Sequence, residues 1–451
     1  MKRLNKLILT TVLGLSSCFS ENSPKDDGKL DIQETTIENG MRVIVANMKS
    51  RGSVMFGVGY FVGAGDDPRD VVGVSHFLEH MMFKGTKNIS GPKFKEIMGK
   101  YNKNSNAFTD YDITFYTYQC NKIFLDVDLK IEADRMQNLK FDEDDIAKEK
   151  EVIIEERKMR MESDPRTKYM VESAYKMMFL YSPYSYPVIG YLDQIKACDK
   201  NSIKKHYKKF YAPNNAFALF TGDITLSEAV EKIKKYFGTI KKGNDVKRNR
   251  IIDPKDTGLK YTIEHESEQI KVHDLDIMYK VDKSNIDTIK KIVTLEIMKG
   301  ILASGDSSIL YQNMVDKKEL LYTIESYLDI RAFDSGRFSI STVFRENQKP
   351  EKIEEEVENI INDFAEKYLT VDLFEKEKKK IADGFEIMQD NPGGMNMFVL
   401  GNIVNGHKID EIKNIKNIVK DIKFEDVKNI AKKILTKENR MLKVYSHPKE
   451  R

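Results

Sequence analysis

The sequence predicts an α+β protein of two related domains, each an antiparallel β-sheet covered by α-helices, and three observations carry that expectation. Short β-rich runs alternate with amphipathic helical segments along the whole chain. A helix, polar turn and apolar strand read at NSIKKHYKKFYAPNNAFALFTG, from Asn201, return at EDVKNIAKKILTKENRMLKVYS, from Glu425, at an offset of 224 residues. Between them KKGNDVKRNRIIDPKD, Lys241 to Asp256, is charged, contains Gly and Pro and has no hydrophobic period, which marks a linker. The halves so defined are residues 31–240 and 257–451. A chain of 451 residues with 40% apolar content has enough material for two real cores. Lys plus Arg number 74 against 71 for Asp plus Glu, a net charge of +3, so no basic field argues for a nucleic-acid partner.

Taken in order, the chain begins MKRLNKLILTTVLGLSSC, in which Lys2, Arg3 and Lys6 precede an apolar run from Leu7 to Leu15. That is the layout of a secretory signal over residues 1–18, and the protein is expected in the periplasm or cell envelope of a bacterium. Leu15 to Cys18 resemble a lipobox, after which Cys18 becomes lipidated and the polar stretch 19–30 serves as a tether to a membrane. An ordinary cleaved signal is the alternative. Ile32 to Ala46 give two strand-like runs broken at Asn39-Gly40, a hairpin signal. Val54 to Gly63 reads as a strand, and GAGDDPRD turns the chain into GVSHFLEHMMFKGT, Gly73 to Thr86, a helix. A helix over Lys93 to Lys100 and a strand over Ala107 to Tyr118 follow. The segment DEDDIAKEKEVIIEERKMRMESDP, Asp142 to Pro165, opens with a carboxylate-rich turn and closes at a Pro, so it reads as one long helix. Helices over Thr167 to Met178, Lys200 to Phe210 and Ser227 to Phe237, with a strand over Ala216 to Phe220, complete the first half. In the second, DNPGGMN, Asp390 to Asn396, reads as a turn between two helices. Cys120 and Cys198 have no metal or disulfide spacing and read as buried free thiols, with a disulfide the alternative in an oxidising compartment. His206, His265, His273, His407 and His447 stand singly and read as structural.

The chemistry concentrates at Gly73 to Thr86. Residues four apart share a helix face, so His76 and His80 can turn two imidazoles to one point, with Glu79 beside them. Zinc accepts neutral imidazole and, in catalytic sites, takes three protein ligands and leaves a fourth position for water. The order His, two residues, Glu, His is the inverted zinc-peptidase signature, in which Glu79 is the base. On the acidic helix Glu149 and Glu156 lie two turns apart on one face, with Val152 and Ile153 supplying apolar contact nearby. Glu156 is the candidate third ligand, and Glu149 the carboxylate that orients a ligating imidazole. Solvated charges on a surface helix are the bland alternative.

With Glu156 following 76 residues after His80 in the run EKEVIIEE, this layout resembles the pitrilysin and insulinase family of zinc metallopeptidases, in its short two-domain form, akin to the mitochondrial processing peptidase β subunit. NAFTDYDITFYTY, from Asn106, resembles the family strand whose Asn-Ala pairs with peptide backbone, and IEADRMQNL and NNAFALFTGDI resemble the following helix and the domain-closing strand. The resemblance implies one Zn2+ per chain, held by His76, His80 and Glu156, and peptide substrates bound at Asn106 and Ala107. It implies two domains facing one another across a cavity, and a dimer completing a chamber that admits unfolded peptides. KKIVTLEIMK, Lys290 to Lys299, where the second copy of the zinc motif belongs, has no histidine, so only the first half is expected to bind metal. SSILYQNMVDKKELLYTIESY resembles the segment that supplies an Arg and a Tyr for the substrate carbonyl; Tyr322 matches, but Lys318 stands at the Arg and Glu319 at the following Gly. Lysine lacks the rigid fork of donors. The partner is accordingly a second copy or a related subunit carrying the intact pair. A catalytically silent subunit and an adhesive surface lipoprotein are the rival readings, against which the complete His76, Glu79, His80 and Glu156 set argues.

Overall fold

The structure, a computed structural model, describes residues 29–50, 52–101, 104–254 and 259–449. The expected signal segment, Cys18 and most of the tether lie outside the described residues. Within them no helix is long and apolar enough to cross a membrane.

Two sheets organise the chain. The first comprises β1 (Ile32–Thr36), β2 (Arg42–Asn47), β3 (Ser53–Tyr60), β4 (Asn104–Thr109), β5 (Thr114–Asn121) and β6 (Ala216–Gly222), in the order β1-β2-β6-β3-β5-β4. The second comprises β7 (Tyr261–Ser267), β8 (His273–Val281), β9 (Leu321–Asp329), β10 (Gly336–Phe344) and β11 (Arg440–Pro448), in the order β7-β11-β8-β10-β9. The longer helices are α1 (Val74–Met81), α2 (Gly91–Tyr101), α3 (Leu125–Asn138), α4 (Glu143–Arg157), α5 (Lys200–Phe210) and α6 (Leu226–Phe237) in the first half. In the second they are α7 (Ile289–Ala303), α8 (Pro350–Asp363), α9 (Val371–Met388), α10 (Pro392–Val404) and α11 (Phe424–Ile434).

The halves repeat one topology. Without β1, the first order superimposes on the second, with β6 and β11 in the same place; helix α5 and strand β6 begin 224 residues before α11 and β11. Each sheet is antiparallel except for one pair, β2 with β6 and β7 with β11, where the closing strand returns after a long helical excursion. At the expected hairpin Gly40 has φ +88°, which the turn requires, and a Cβ there would meet Asn214 at 2.8 Å.

Three expectations change. The strand expected over Ala107 to Tyr118 is a hairpin: Asp110 to Ile113 turn between β4 and β5, closed by Asp110 N–H donating to Ile113 O at 2.9 Å. Asp and Tyr interrupt the β-branched run there, and a turn needs such polar breakers. The long acidic helix is regular only to Arg157 and continues as a π-helical turn, Lys158–Glu162, before the next helix starts at Pro165; along it Ile153 is buried, but Val152 faces solvent. Gly393 and Gly394 lie in the first turn of α10, capped by Asn391, so the interhelical turn comes before them. The cysteines are as read: Cys120 and Cys198 are free and buried.

The segment expected to be a linker has no regular structure up to Pro254, yet it is pinned. Arg250 pairs with Asp66 at 2.7 Å and with Asp112, and Asp253 accepts from Tyr181 N–H at 2.7 Å. Strand β6 is buried on both faces. Ala218 and Phe220 face the helices of the first half, while Phe217 and Leu219 join Ile44 and Phe115 in a core shared with Met395, Val399 and Leu400 of α10. Asn396 donates to Thr221 Oγ1 across this contact at 2.9 Å. The second half thus covers the back of the first sheet.

Candidate metal centre

Helix α1 is short, and both its ends are tied down. Gly73 caps it with φ +97°, a left-handed backbone that favours Gly. The orphan N–H groups of the first turn go to one buried carboxylate: Asp67 accepts from Gly73 N at 2.7 Å, Ser75 N at 3.1 Å and Ser75 Oγ at 2.6 Å. Because the Ser75 proton points to Asp67, its oxygen accepts from His206 Nε2 at 2.8 Å. Burial pushes His206 down to about 3, so it stays neutral. At the other end the fully buried Arg135 of α3 donates to Met82 O at 3.3 Å among the rings of Phe83, Phe94, Tyr116 and Tyr118, and pairs with Glu132.

On this helix His76 and His80 both turn Nε2 toward Glu156 of α4, whose Oε2 lies 3.6 Å from the first and 3.2 Å from the second. Three donor atoms, one from each residue, lie within 4.8 Å of one another. Ligands about 2.0–2.1 Å from a tetrahedral ion stand roughly 3.3 Å apart, and the observed separations bracket that value. His76 Nδ1 is buried without a hydrogen bond, and Glu156 Oε2 is buried facing the two histidine Nε2 atoms. Two imidazoles and a carboxylate converging on one point are a donor set that fits zinc.

The electrostatics follow from burial and pairing. Burial, reinforced by neighbouring His80, lowers His76 to about 3. Burial disfavours a charged His80 as well, but hydrogen bonds to Glu149 and Glu156 outweigh it and raise its pKa to about 9. Glu156 is held down to about 2, against burial, by His80, His76 and Arg160. Arg160 binds its outer oxygen Oε1 at 2.5 Å, leaving Oε2 to face the histidines. Glu149 Oε2 sits 3.2 Å from His80 Nδ1 and its other oxygen pairs with Lys84; against its burial these cations lower its pKa. Glu79 is buried on the same helix, and burial raises its pKa. Its carboxylate accepts from Thr109 Oγ1 at 2.6 Å.

Thr109 ends β4, the edge strand of the first sheet, which also carries Asn106 and Ala107. Tyr322 lies at the start of β9, the edge strand of the second sheet, and Lys318 ends the helical turn just before it. Among the described residues neither has a hydrogen bond or ion pair to His76, Glu79, His80, Glu149 or Glu156: Lys318 is paired with Glu356, and Tyr322, 52% exposed, lies under the Arg345 guanidinium at 5.0 Å. Thr109 and Arg160 escaped sequence reasoning. Arg160 stands four residues after Glu156, a helical spacing that could have pointed to it; nothing local to Thr109 could have.

A two-domain α+β chain with a His, His, Glu cluster, buried at His76 and half-buried at His80 and Glu156, beside a further buried carboxyl defines a metallopeptidase-type protein. The model of the insulinase family (peptidase family M16) matches residues 42–188, and that of the M16 inactive domain matches residues 197–381. The chain belongs to this pitrilysin/insulinase family, in its two-domain bacterial form. It is 28% identical over 362 residues to zinc protease PqqE of Helicobacter pylori, covering 79% of each chain. It is 26% identical to the uncharacterized zinc protease YmxG of Bacillus subtilis, covering 90% of this chain and 96% of that one. A protease from Helicobacter pylori shares the fold with TM-score 0.85 at 24% identity, covering 93% of this chain and all of that one. Pitrilysin shares it with TM-score 0.73 at 19% identity, 96% of this chain corresponding to 46% of the pitrilysin chain.

Proposed function

We propose that the chain is a zinc-dependent endopeptidase of the cell envelope, exported by its N-terminal segment and anchored through Cys18, that cleaves unfolded peptides in a chamber completed by a second subunit. The observation that carries this reading is the convergence of His76, His80 and Glu156 on one point beside the buried carboxyl of Glu79. One zinc ion held by those three supplies a Lewis acid that polarises the scissile carbonyl and makes water nucleophilic near neutral pH. Glu79 takes the proton of the attacking water and passes it to the leaving amine, a task that a carboxyl with a raised pKa suits. Glu149 keeps the His80 ring in place through Nδ1. The free edge of β4 takes the substrate as an added strand at Asn106 and Ala107, which makes sequence preference loose. Tyr322 and Lys318 serve the substrate carbonyl from across the chamber.

A second reading, a subunit active only with a related partner bearing an Arg and Tyr pair, is favoured by the engagement of Lys318 with Glu356. The test is hydrolysis of a mixed pool of unfolded peptides by zinc-loaded protein lacking residues 1–18, wild type against Glu79→Gln. The variant should retain zinc and lose about 100-fold or more of the rate. Equal cutting by both proteins would remove Glu79 from the chemistry. Zinc retained by both with no cleavage by either would make the chain half of a mixed dimer or a silent subunit, and adding a related partner would separate the two.

A further inference from the structure

We propose that Thr109 is a positioning residue for Glu79, and that Arg331 of the second half keeps Thr109 in place. The inference rests on the reading of Glu79 as the base. Thr109 Oγ1 makes the one side-chain hydrogen bond to Glu79 among the described residues, at 2.6 Å. An ionised carboxylate only accepts, so the proton is that of Thr109. Neighbouring Thr114 does not compete, because its hydroxyl donates to Val62 O at 2.9 Å. One carboxylate oxygen is thereby occupied and the other is left for water.

Immediately after Thr109 the chain turns, and that turn is gripped from both halves. Ala64 N donates to Asp110 O at 3.0 Å and Gly65 N to Tyr111 O at 2.8 Å. A Cβ on Gly63 would meet Asp110 O at 2.0 Å, so no side chain fits this approach. From the second half, the loop between β9 and β10 reaches over. Ala332 N donates to Asp112 Oδ2 at 3.4 Å; Arg331 lies 4.4 Å from the Tyr111 ring centroid and 3.7 Å from Asp110 Oδ1. Asp329 anchors that guanidinium at 2.5 Å. The half without the ligand motif therefore fixes the strand end that aims the carboxylate in the half that carries it.

The experiment uses the zinc-loaded protein lacking residues 1–18, with Thr109→Val, Thr109→Ser, Arg331→Ala and the Val/Ala double variant, alongside Glu79→Gln. Misplacing a base typically costs rate rather than binding, so Thr109→Val should lower kcat about 10- to 100-fold at unchanged zinc content. KM should stay within about two-fold. Thr109→Ser should recover most of kcat, which a packing role of the methyl group would not allow. Arg331→Ala should lower kcat by a smaller factor and add nothing in the Val background, the mark of residues acting through one another. A crystal structure of Thr109→Val should find the Glu79 carboxylate rotated from its place, and this arm decides even if the lone chain needs a partner to turn over. Wild-type kcat or, in a chain that does not turn over alone, an unmoved carboxylate overturns the proposal; full additivity overturns the role of Arg331. Cleavage surviving in Glu79→Gln would instead sink the reading of Glu79.

Discussion

His80 sits between two carboxylates, and in the metal-free protein that environment makes it a cation at neutral pH. Its pKa in the fold, about 9, stands above the ordinary 6.5, so the stability it contributes is complete below pH 6.5 and is lost as the pH rises through 9. Zinc needs the neutral ring. Binding at pH 7 should therefore release about one proton per zinc, and the release should fade above pH 9; calorimetric titration in buffers of different ionisation heat measures it. Release that does not change between pH 7 and 10 would contradict the two-carboxylate account of His80. At Glu319, where the family resemblance leads one to expect glycine, φ is +49°, a left-handed conformation that costs a non-glycine residue about 1 kcal/mol.

At the scale of elements, helix α1 is placed by contacts that its own sequence does not announce. Gly73 starts it in a left-handed conformation, and a Cβ there would meet Gly190 Cα and Ile189 O, both at 2.8 Å. Backbone cannot yield as a flexible side chain can. Gly73→Ala should cost about 1–3 kcal/mol, shift the start of the helix and lower zinc stoichiometry, measured by urea unfolding and metal analysis. Unchanged zinc content would show that the histidines are located by α4 and not by the cap. The His, Glu, His spacing was legible because a helix converts sequence separation directly into a shared face. The hairpin at Asp110 to Ile113 was not, because its strands are both β-rich and its turn is closed by Gly63 and Arg331 from far along the chain. Burial of Ile153 but not Val152 likewise depends on which side of α4 faces α1.

At the scale of the molecule, the two halves are one cooperative body. Ile44, Phe115, Phe217 and Leu219 of the first sheet pack against α10 of the second half. Each such side chain contributes about 1.5–3 kcal/mol when buried, so uncovering all four removes free energy comparable to the typical 5–15 kcal/mol margin of a folded protein. Residues 29–240 produced alone should therefore bind hydrophobic dye and unfold without a sharp transition, whereas the full chain should show a single calorimetric transition. A sharply melting, dye-silent first half would refute this coupling. The ion pair of Arg166 with Asp274 adds orientation at a separate contact between the halves.

By itself the sequence determined the fold class, the repeat at 224 residues and the pairing of His76 with His80 on one helix face, since periodicity, duplicated pattern and helical spacing are local properties of a chain. It pointed to Glu156 only through the pairing of the acidic helix with the histidine motif, since carboxylates on such a helix are by themselves mostly solvated. Only the tertiary structure decided that Arg160 turns one Glu156 oxygen inward, that Thr109 holds Glu79, and that Arg331 reaches that turn from the other half. These contacts join residues brought together by sheet order and interdomain packing, and no spacing along the chain encodes the approach of Arg331 to the turn that follows Thr109.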